Sequence, residues 1–206
     1  MMKGADALRC LASQRGEALV VATMTTSRLW PAVSQRKEFD LPISNCMGKA
    51  SSVGLGIALA QPERQVWVLD GDGSLAMSLG SLLSIAQARP ANLVHFVFDD
   101  GVYTTVGGSP VPAARLADYA GIARAAGYPA AERFGDLATL QERLPELLCG
   151  PRPLLIALDI AGWDGLGDYG PMTQQVMDEK LAAAAEKFWA VRQTLTGLGP
   201  GRRPAA

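Results

Sequence analysis

QVWVLDGDGSLAMSLGSLLSIAQARPANLVHFVFDDGVY, residues 65–103, is the stretch that decides the fold. An apolar run, Val66 to Leu69, stops at Asp70-Gly71-Asp72-Gly73-Ser74. An amphipathic run follows and ends at Pro90; a second apolar run, Leu93 to Phe98, stops at Asp99-Asp100-Gly101. The pattern predicts strand, acidic glycine loop, helix, strand, acidic glycine loop. A right-handed crossover makes the two strands parallel members of one sheet. Both acidic loops then open at the same carboxyl edge, where α/β proteins bind ligands. Two carboxylate loops meeting there suit Mg2+, a hard cation that takes oxygen ligands and commonly shares them with a phosphate. The glycines let backbone approach that phosphate, and amides at the following helix start can donate to it.

Working outward, the same alternation continues. Residues 4–14 predict a helix with Leu8 and Leu11 on one side, and Ala18 to Ala22 a strand ending in the hydroxyl cluster Thr23-Met24-Thr25-Thr26-Ser27. Ser27 is placed to cap a short helix over 28–35, with Pro31 in its first turn. Residues 45–60 begin as a loop and become a small-residue helix, in which Gly54, Gly56, Ala58 and Ala60 allow close approach to the sheet. Tyr103 to Pro112 reads as a loop at the functional edge, Ala113 to Ala126 as a helix ended by Gly127, Ala130 to Arg133 as a short strand. Asp136 caps a helix to Leu148, Leu154 to Leu158 is the last strand, Gly162 to Gly170 a loop, and Thr173 to Leu195 a final helix. Strands alternating with helices throughout mean an α/β domain, a mostly parallel central sheet flanked by helices in three layers. We expect one domain over 1–196 and a disordered tail over 197–206.

Bulk properties narrow the function classes. Nearly half of the 206 residues are apolar and the net charge is −1, with no basic stripe, so nothing points to a nucleic-acid partner. Cys10, Cys46 and Cys149 are scattered and odd in number, which favours free thiols in a reducing compartment. No apolar run is long enough to span a bilayer and the first residues lack a signal-peptide core, so the expectation is a soluble cytoplasmic protein. The single histidine, His95, sits mid-strand among Val94, Phe96 and Val97, which predicts a buried, hydrogen-bonded structural role rather than a catalytic base.

Gly71-Asp72-Gly73-Ser74, followed one helix and one strand later by Asp100, resembles the thiamine diphosphate fold; the separation, 100 − 72 = 28 residues, suits that family's GDG…N motif. Asn45-Cys46-Met47-Gly48-Lys49-Ala50-Ser51-Ser52-Val53-Gly54-Leu55-Gly56, Asn92-Leu93-Val94-His95, and Gly101-Val102-Tyr103 followed by Gly107-Gly108 resemble the sulfopyruvate and phosphonopyruvate decarboxylases. The resemblance covers roughly residues 18 to 160. It implies a three-layer fold that binds thiamine diphosphate through Mg2+. The side chains of Asp72 and Asp100 and the backbone carbonyl of Val102 would ligate the metal. Ser74 and the backbone of Gly71 and Gly73 would contact the diphosphate, with a hydroxyl from Thr26. Met47 would hold the aminopyrimidine bent against the thiazolium, and the backbone of Asn45 and Met47 would bond the pyrimidine edge. Where the family usually has asparagine, this chain has Asp100, which adds a negative charge beside the diphosphate.

The resemblance also implies chemistry and a partner. The cofactor adds to the keto group of a 2-oxo acid and takes up electrons as CO2 leaves. The glutamate that polarises the pyrimidine lies, in the family, on a separate pyrimidine-binding domain. No glutamate here sits in a comparable setting, so no catalytic side chain is expected on this chain. A second polypeptide would supply that domain in an α2β2-like hetero-oligomer. The alternatives are a thiamine diphosphate-dependent carboligase subunit, or a non-catalytic regulatory subunit whose metal site Asp100 has weakened. Thr104 and Ser109 replace the Glu and Gln that the resembling decarboxylases usually carry after the tyrosine and the paired glycines, which leaves the identity of the 2-oxo acid open.

Other motif readings fit less well. Gly54-Leu55-Gly56 lacks both a preceding strand and the third glycine of a dinucleotide fingerprint, since position 59 is Leu59. An EF-hand starting at Asp70 would put Leu75 and Ser81 at its sixth and twelfth positions. A haloacid-dehalogenase-type phosphatase needs its acidic strand end near the N-terminus and a second acidic pair farther downstream than Asp99-Asp100.

Overall fold

A computed structural model describes residues 1–43, 45–163 and 174–197. The elements run α1 (Gly4–Gln14), β1 (Leu19–Thr23), α2 (Met24–Leu29), β2 (Asp40–Ile43), α3 (Ala50–Ala60), β3 (Val66–Gly71), α4 (Asp72–Ala76), α5 (Ser81–Ala88), β4 (Leu93–Asp99) and the short β5 (Val102–Tyr103) and β6 (Ser109–Pro110). They continue α6 (Tyr119–Ala126), β7 (Ala130–Phe134), α7 (Leu137–Leu147), β8 (Leu154–Asp159) and α8 (Gln174–Thr196). Six strands form one parallel sheet in the order β2-β1-β3-β4-β8-β7.

The inner strands β1, β3, β4 and β8 are largely apolar on both faces because both faces are covered. Along β3, Trp67 and Leu69 enter one core with Leu8 and Leu11 of α1 and Leu140 and Leu144 of α7. Val66 and Val68 point the other way, into a second core with Ala58 of α3, Leu82 and Ile85 of α5, and Ala120 and Ala123 of α6. Three layers follow. Of the small residues in α3, Gly54 makes the close approach: a Cβ there would lie 2.2 Å from Val68 Cγ2, whereas one at Gly56 would meet nothing. Gly56 and Ala60 face outward. Among the described residues no helix is long and apolar enough to cross a membrane.

Several predicted boundaries shift. The helix after β1 begins at Met24 with Thr23 at its N-cap, and Ser27 lies inside it, donating to Met24 O; Pro31 falls in a 3-10 turn, Trp30–Ala32. The run after Ser74 is two helices, α4 and α5, separated at 77–80. The loop read over 103–112 instead holds most of the antiparallel β5–β6 pair, which starts at Val102. The helix read over 113–126 starts only at Tyr119, because Asp118 caps it by accepting from Gly121 N and because Ala113 and Arg115 adopt positive φ (57° and 62°). Helices α1 and α7 fall where predicted, α7 with Asp136 accepting from Thr139 N. Of the loop read over 162–170, residues 164–170 lie outside the described residues, as do 198–206 of the tail.

Candidate active site

The β3–β4 pairing brings the two acidic loops together. Gly71 pairs with Phe98 at the carboxyl ends of the strands, so Asp72 leaves one strand beside the turn that leaves the other. Asp72 Oδ2 accepts the Gly101 amide at 3.0 Å, a direct tie between the loops. A narrow cleft of about 40 Å³ opens there, lined by Thr23, Met24, Thr25, Thr26, Met47, Gly71, Asp72, Gly73, Ser74, Phe98, Asp100, Val102, Tyr103, Thr104, Thr105 and Trp163. Eight of the nine residues singled out from the sequence line it. The ninth, Asn45, has a positive φ of 57° and borders the adjoining cavity of about 440 Å³, which meets the cleft at Met24. That larger cavity is walled by Val20, Ala22, Trp30, Leu41 and Pro42 and lacks the acidic pair.

Charge is the cleft's main property. None of its lining residues is Lys, Arg or His. Asp72 is 3% exposed and joins no ion pair among the described residues. Burial, with the nearby charges of Asp100 and Asp99, pushes its carboxyl up to about 7, although the Gly73 and Gly101 amides oppose the shift. Asp99 Oδ2 lies 3.6 Å from Arg133, which also grips Asp159. Burial raises the Asp99 carboxyl too, against the Arg133 charge. Asp100 is held by three donors: Val102 N to Oδ1 at 3.1 Å, and Thr104 Oγ1 at 2.5 Å and Trp163 Nε1 at 2.8 Å, both to Oδ2.

The remaining candidates divide by what their polar groups do. Ser74 Oγ accepts the Gly48 amide at 3.0 Å, which leaves its hydroxyl proton for an anionic oxygen. Around Gly71, no atom lies within 4 Å of where a Cβ would stand, so a ligand can approach closely there, while its amide donates to Asp70 Oδ1 at 3.0 Å. Gly73 is covered by Tyr103, whose Cε1 would lie 2.5 Å from an added Cβ. Thr26 is 1% exposed and its hydroxyl bonds Thr23 O and Leu69 O at 2.8 and 2.7 Å, so its proton is committed to tying α2 to β3. The neighbouring Thr25 hydroxyl has no such partner among the described residues. Met47 is half-buried on the cleft wall.

Sequence reasoning missed three supports. Tyr119 donates to Asp72 O at 3.4 Å from the start of α6. Arg115 donates to the carbonyls of Asp99 and Asp100 at 3.4 and 2.8 Å, so it bonds the backbone of the acidic turn. Met24 carries a positive φ of 50°, uncommon for a side chain of its size, where β1 turns into α2. None has a periodic or motif signal; each depends on where a distant element lands.

Two-carboxylate geometry with no protein countercharge fits a divalent cation bridging to a phosphate. Among the described residues no three His, Cys, Asp or Glu side chains converge as a metal cluster, so such a cation would take ligands beyond side chains. Residues 21–158 match the family described as "Thiamine pyrophosphate enzyme, C-terminal TPP binding domain". The chain is 36% identical over 189 residues to a phosphonopyruvate decarboxylase of Streptomyces hygroscopicus, covering 92% of this chain and 46% of that protein. It is 43% identical over 98 residues to the sulfopyruvate decarboxylase subunit beta of Methanothermobacter thermautotrophicus, covering 48% of this chain and 51% of that one. The chain thus spans about half the length of these relatives. The fold superimposes on the thiamine diphosphate-dependent 4-hydroxybenzoylformate decarboxylase of Rhodococcus jostii RHA1 with a TM-score of 0.64 at 19% identity, covering 79% of this chain and 33% of that one. A cleft built at the carboxyl edge of β3 and β4, and a family match that spans both loops, lead to one conclusion: the chain belongs to the thiamine pyrophosphate enzymes, through their C-terminal TPP-binding domain.

Proposed function

We propose that this chain is the diphosphate-binding subunit of a thiamine diphosphate- and Mg2+-dependent 2-oxo acid decarboxylase. One observation carries the reading: Asp72 is a buried carboxylate without a countercharge, in a cleft whose lining has no basic side chain. A diphosphate alone would be repelled there, and a bridging Mg2+ removes the conflict on both sides. Asp72 and Asp100 would supply side-chain oxygens to the metal and Val102 its carbonyl. Gly71, which leaves room for close approach, with Gly73 and the Ser74 hydroxyl, would hold the diphosphate. Thr25 is a better hydroxyl donor to it than Thr26, whose proton is already shared between two carbonyls. Met47 would support the bent cofactor, with the backbone of Asn45 and Met47 toward the pyrimidine. When bound, thiamine diphosphate supplies the nucleophilic carbon and the electron sink for loss of CO2.

A separate subunit would contribute the pyrimidine-binding domain and its glutamate, in an α2β2-like assembly. The name "subunit beta" of several relatives supports this division. Native mass spectrometry of the chain recovered from its host, followed by a screen of 2-oxo acids, tests both parts. We expect a second polypeptide and bound cofactor, with CO2 release by the complex and not by the chain alone. Failure to bind thiamine diphosphate at saturating Mg2+ in any assembly would end the cofactor reading. Decarboxylation by the isolated chain would end the split.

A further inference from the structure

The departure at position 100, aspartate where asparagine was expected, has a physical cause in its neighbours. The Val102 amide binds Oδ1, while the Trp163 indole N–H and the Thr104 hydroxyl bind Oδ2. A backbone amide and an indole nitrogen are donors only; a hydroxyl can turn and accept. The two obligate donors therefore sit on different oxygens of the same side chain. An asparagine at this position must aim its NH2 at one of them, whichever way it is flipped. Only a carboxylate, with acceptors on both atoms, satisfies both.

Trp163 has little freedom to relieve that mismatch. It is 8% exposed, and its ring lies 5.1 Å from that of Phe98. Gly4 packs against its other side so closely that a Cβ would stand 2.6 Å from Trp163 Cε3. The N-terminal segment is itself fixed to the strand end, with Gly4 N donating to Gly162 O at 2.8 Å and Ala161 N to Met2 O at 2.8 Å. The indole N–H is thus fixed from behind by packing.

We infer that Trp163 is a positioning residue that requires aspartate at position 100 and, with Thr104, occupies Oδ2 so that Oδ1 is the oxygen offered to a divalent cation. A carboxylate oxygen takes about two hydrogen bonds. Oδ2 has both; Oδ1 has one and keeps a free lone pair. The requirement for aspartate stands on donor geometry alone. The assignment of Oδ1 rests on the cofactor reading above.

A double-mutant cycle on the full chain tests it, with Asp100→Asn, Trp163→Phe and both together. Phenylalanine keeps an aromatic ring against Phe98 and removes only the indole donor and its second ring. In metal-free buffer we expect Asp100→Asn to lower the melting temperature by about 2–6 °C in the Trp163 background, the shift that one misplaced hydrogen bond gives in a chain of this size. In the Trp163→Phe background, Asn can face Val102 N with its oxygen and Thr104 with its NH2, so the same change should cost less than about 1 °C. Equal losses in the two backgrounds would overturn the inference. A calorimetric titration of Mg2+ with thiamine diphosphate is the second readout. Trp163→Phe alone should weaken binding roughly three- to tenfold by freeing the carboxylate to rotate, and unchanged affinity would overturn the assignment of Oδ1. Coupled melts with no binding by any version, the parent included, would uphold the requirement for aspartate and sink the cofactor reading instead.

Discussion

His95 Nε2 lies 3.4 Å from Asp70 Oδ2, with both side chains fully buried. His95 pairs with Val68 across β3 and β4, and Asp70, two residues on, projects to the same face. The other Asp70 oxygen accepts the Gly71 amide at 3.0 Å. The histidine therefore anchors a carboxylate that in turn sets the first residue of the acidic loop. His95→Leu would strand a buried Asp70 oxygen, and breaking such a pair costs on the order of 3 kcal/mol. His95→Gln keeps a donor and should cost about half as much. Urea unfolding of the two variants checks this; a leucine variant as stable as the glutamine one would mean that Asp70 does not need its partner.

Asp72 makes the metal-free fold pH-sensitive. Its carboxyl titrates near 7 in the fold and near 3.9 in the unfolded chain, so the fold holds the proton more tightly. The contribution of this group is most favourable below about pH 4 and is lost as pH rises through 7, after which it is constant. The loss is on the order of 2–4 kcal/mol. Asp99, shifted in the same direction, adds to the slope. We expect the metal-free chain to unfold at lower urea at pH 8 than at pH 5, Asp72→Asn to flatten most of that difference, and Mg2+ with thiamine diphosphate to restore stability at pH 8. A difference as large in Asp72→Asn as in the parent would assign it to other groups.

The sheet, apart from its edge strand β2, which carries no unbroken apolar run, and the acidic edge were legible because they depend on local signals. Val66 to Leu69 is apolar on every residue and Leu93 to Phe98 on every residue but His95, which suits a strand covered on both faces, and Asp-Gly punctuation marks where each ends. Arg115 shows why other parts were not. By composition, residues 113–118 suit a helix, but the Arg115 guanidinium reaches two carbonyls of the acidic turn, and Asp118 offers a better start for α6. The bond from Trp163 to Asp100 crosses 63 residues and appears in no periodicity. Thr26 was legible as a cleft residue, not as one whose proton is already spent.

Three glycines separate packing from site chemistry. Gly54→Ala places a Cβ 2.2 Å from Val68 Cγ2 and forces α3 off the sheet, a loss of about 1–3 kcal/mol. Gly56→Ala meets nothing, and in a helix interior it should stabilise by about 0.5–1 kcal/mol. Gly73→Ala strikes Tyr103 at 2.5 Å, so it should displace the β5–β6 hairpin and lower cofactor affinity at least tenfold with a smaller loss of stability than Gly54→Ala. Thermal melts and thiamine diphosphate titrations of the three variants check the order; a Gly73→Ala protein that binds like the parent would mean that the hairpin does not shape the diphosphate site.

The cysteines offer a footprint of the same site. Burial shields Cys10 and pushes its thiol up, so it should react slowly with an aromatic disulfide reagent. Cys46 and Cys149 are exposed and should react fast. Cys46 lies in the chain between Asn45, which borders the larger cavity, and Met47, on the cleft wall. Cys149 borders a separate cavity at the amino edge of the sheet, with Arg15, Gly16 and Gln65. Adding thiamine diphosphate and Mg2+ should therefore slow one of the two fast thiols several-fold and leave the other unchanged, and Cys46→Ser should abolish the protected phase. Saturating cofactor that slows neither thiol, in a protein shown to bind it, would move the pyrimidine end away from the Asn45–Met47 loop while leaving the diphosphate end at Asp72 and Asp100.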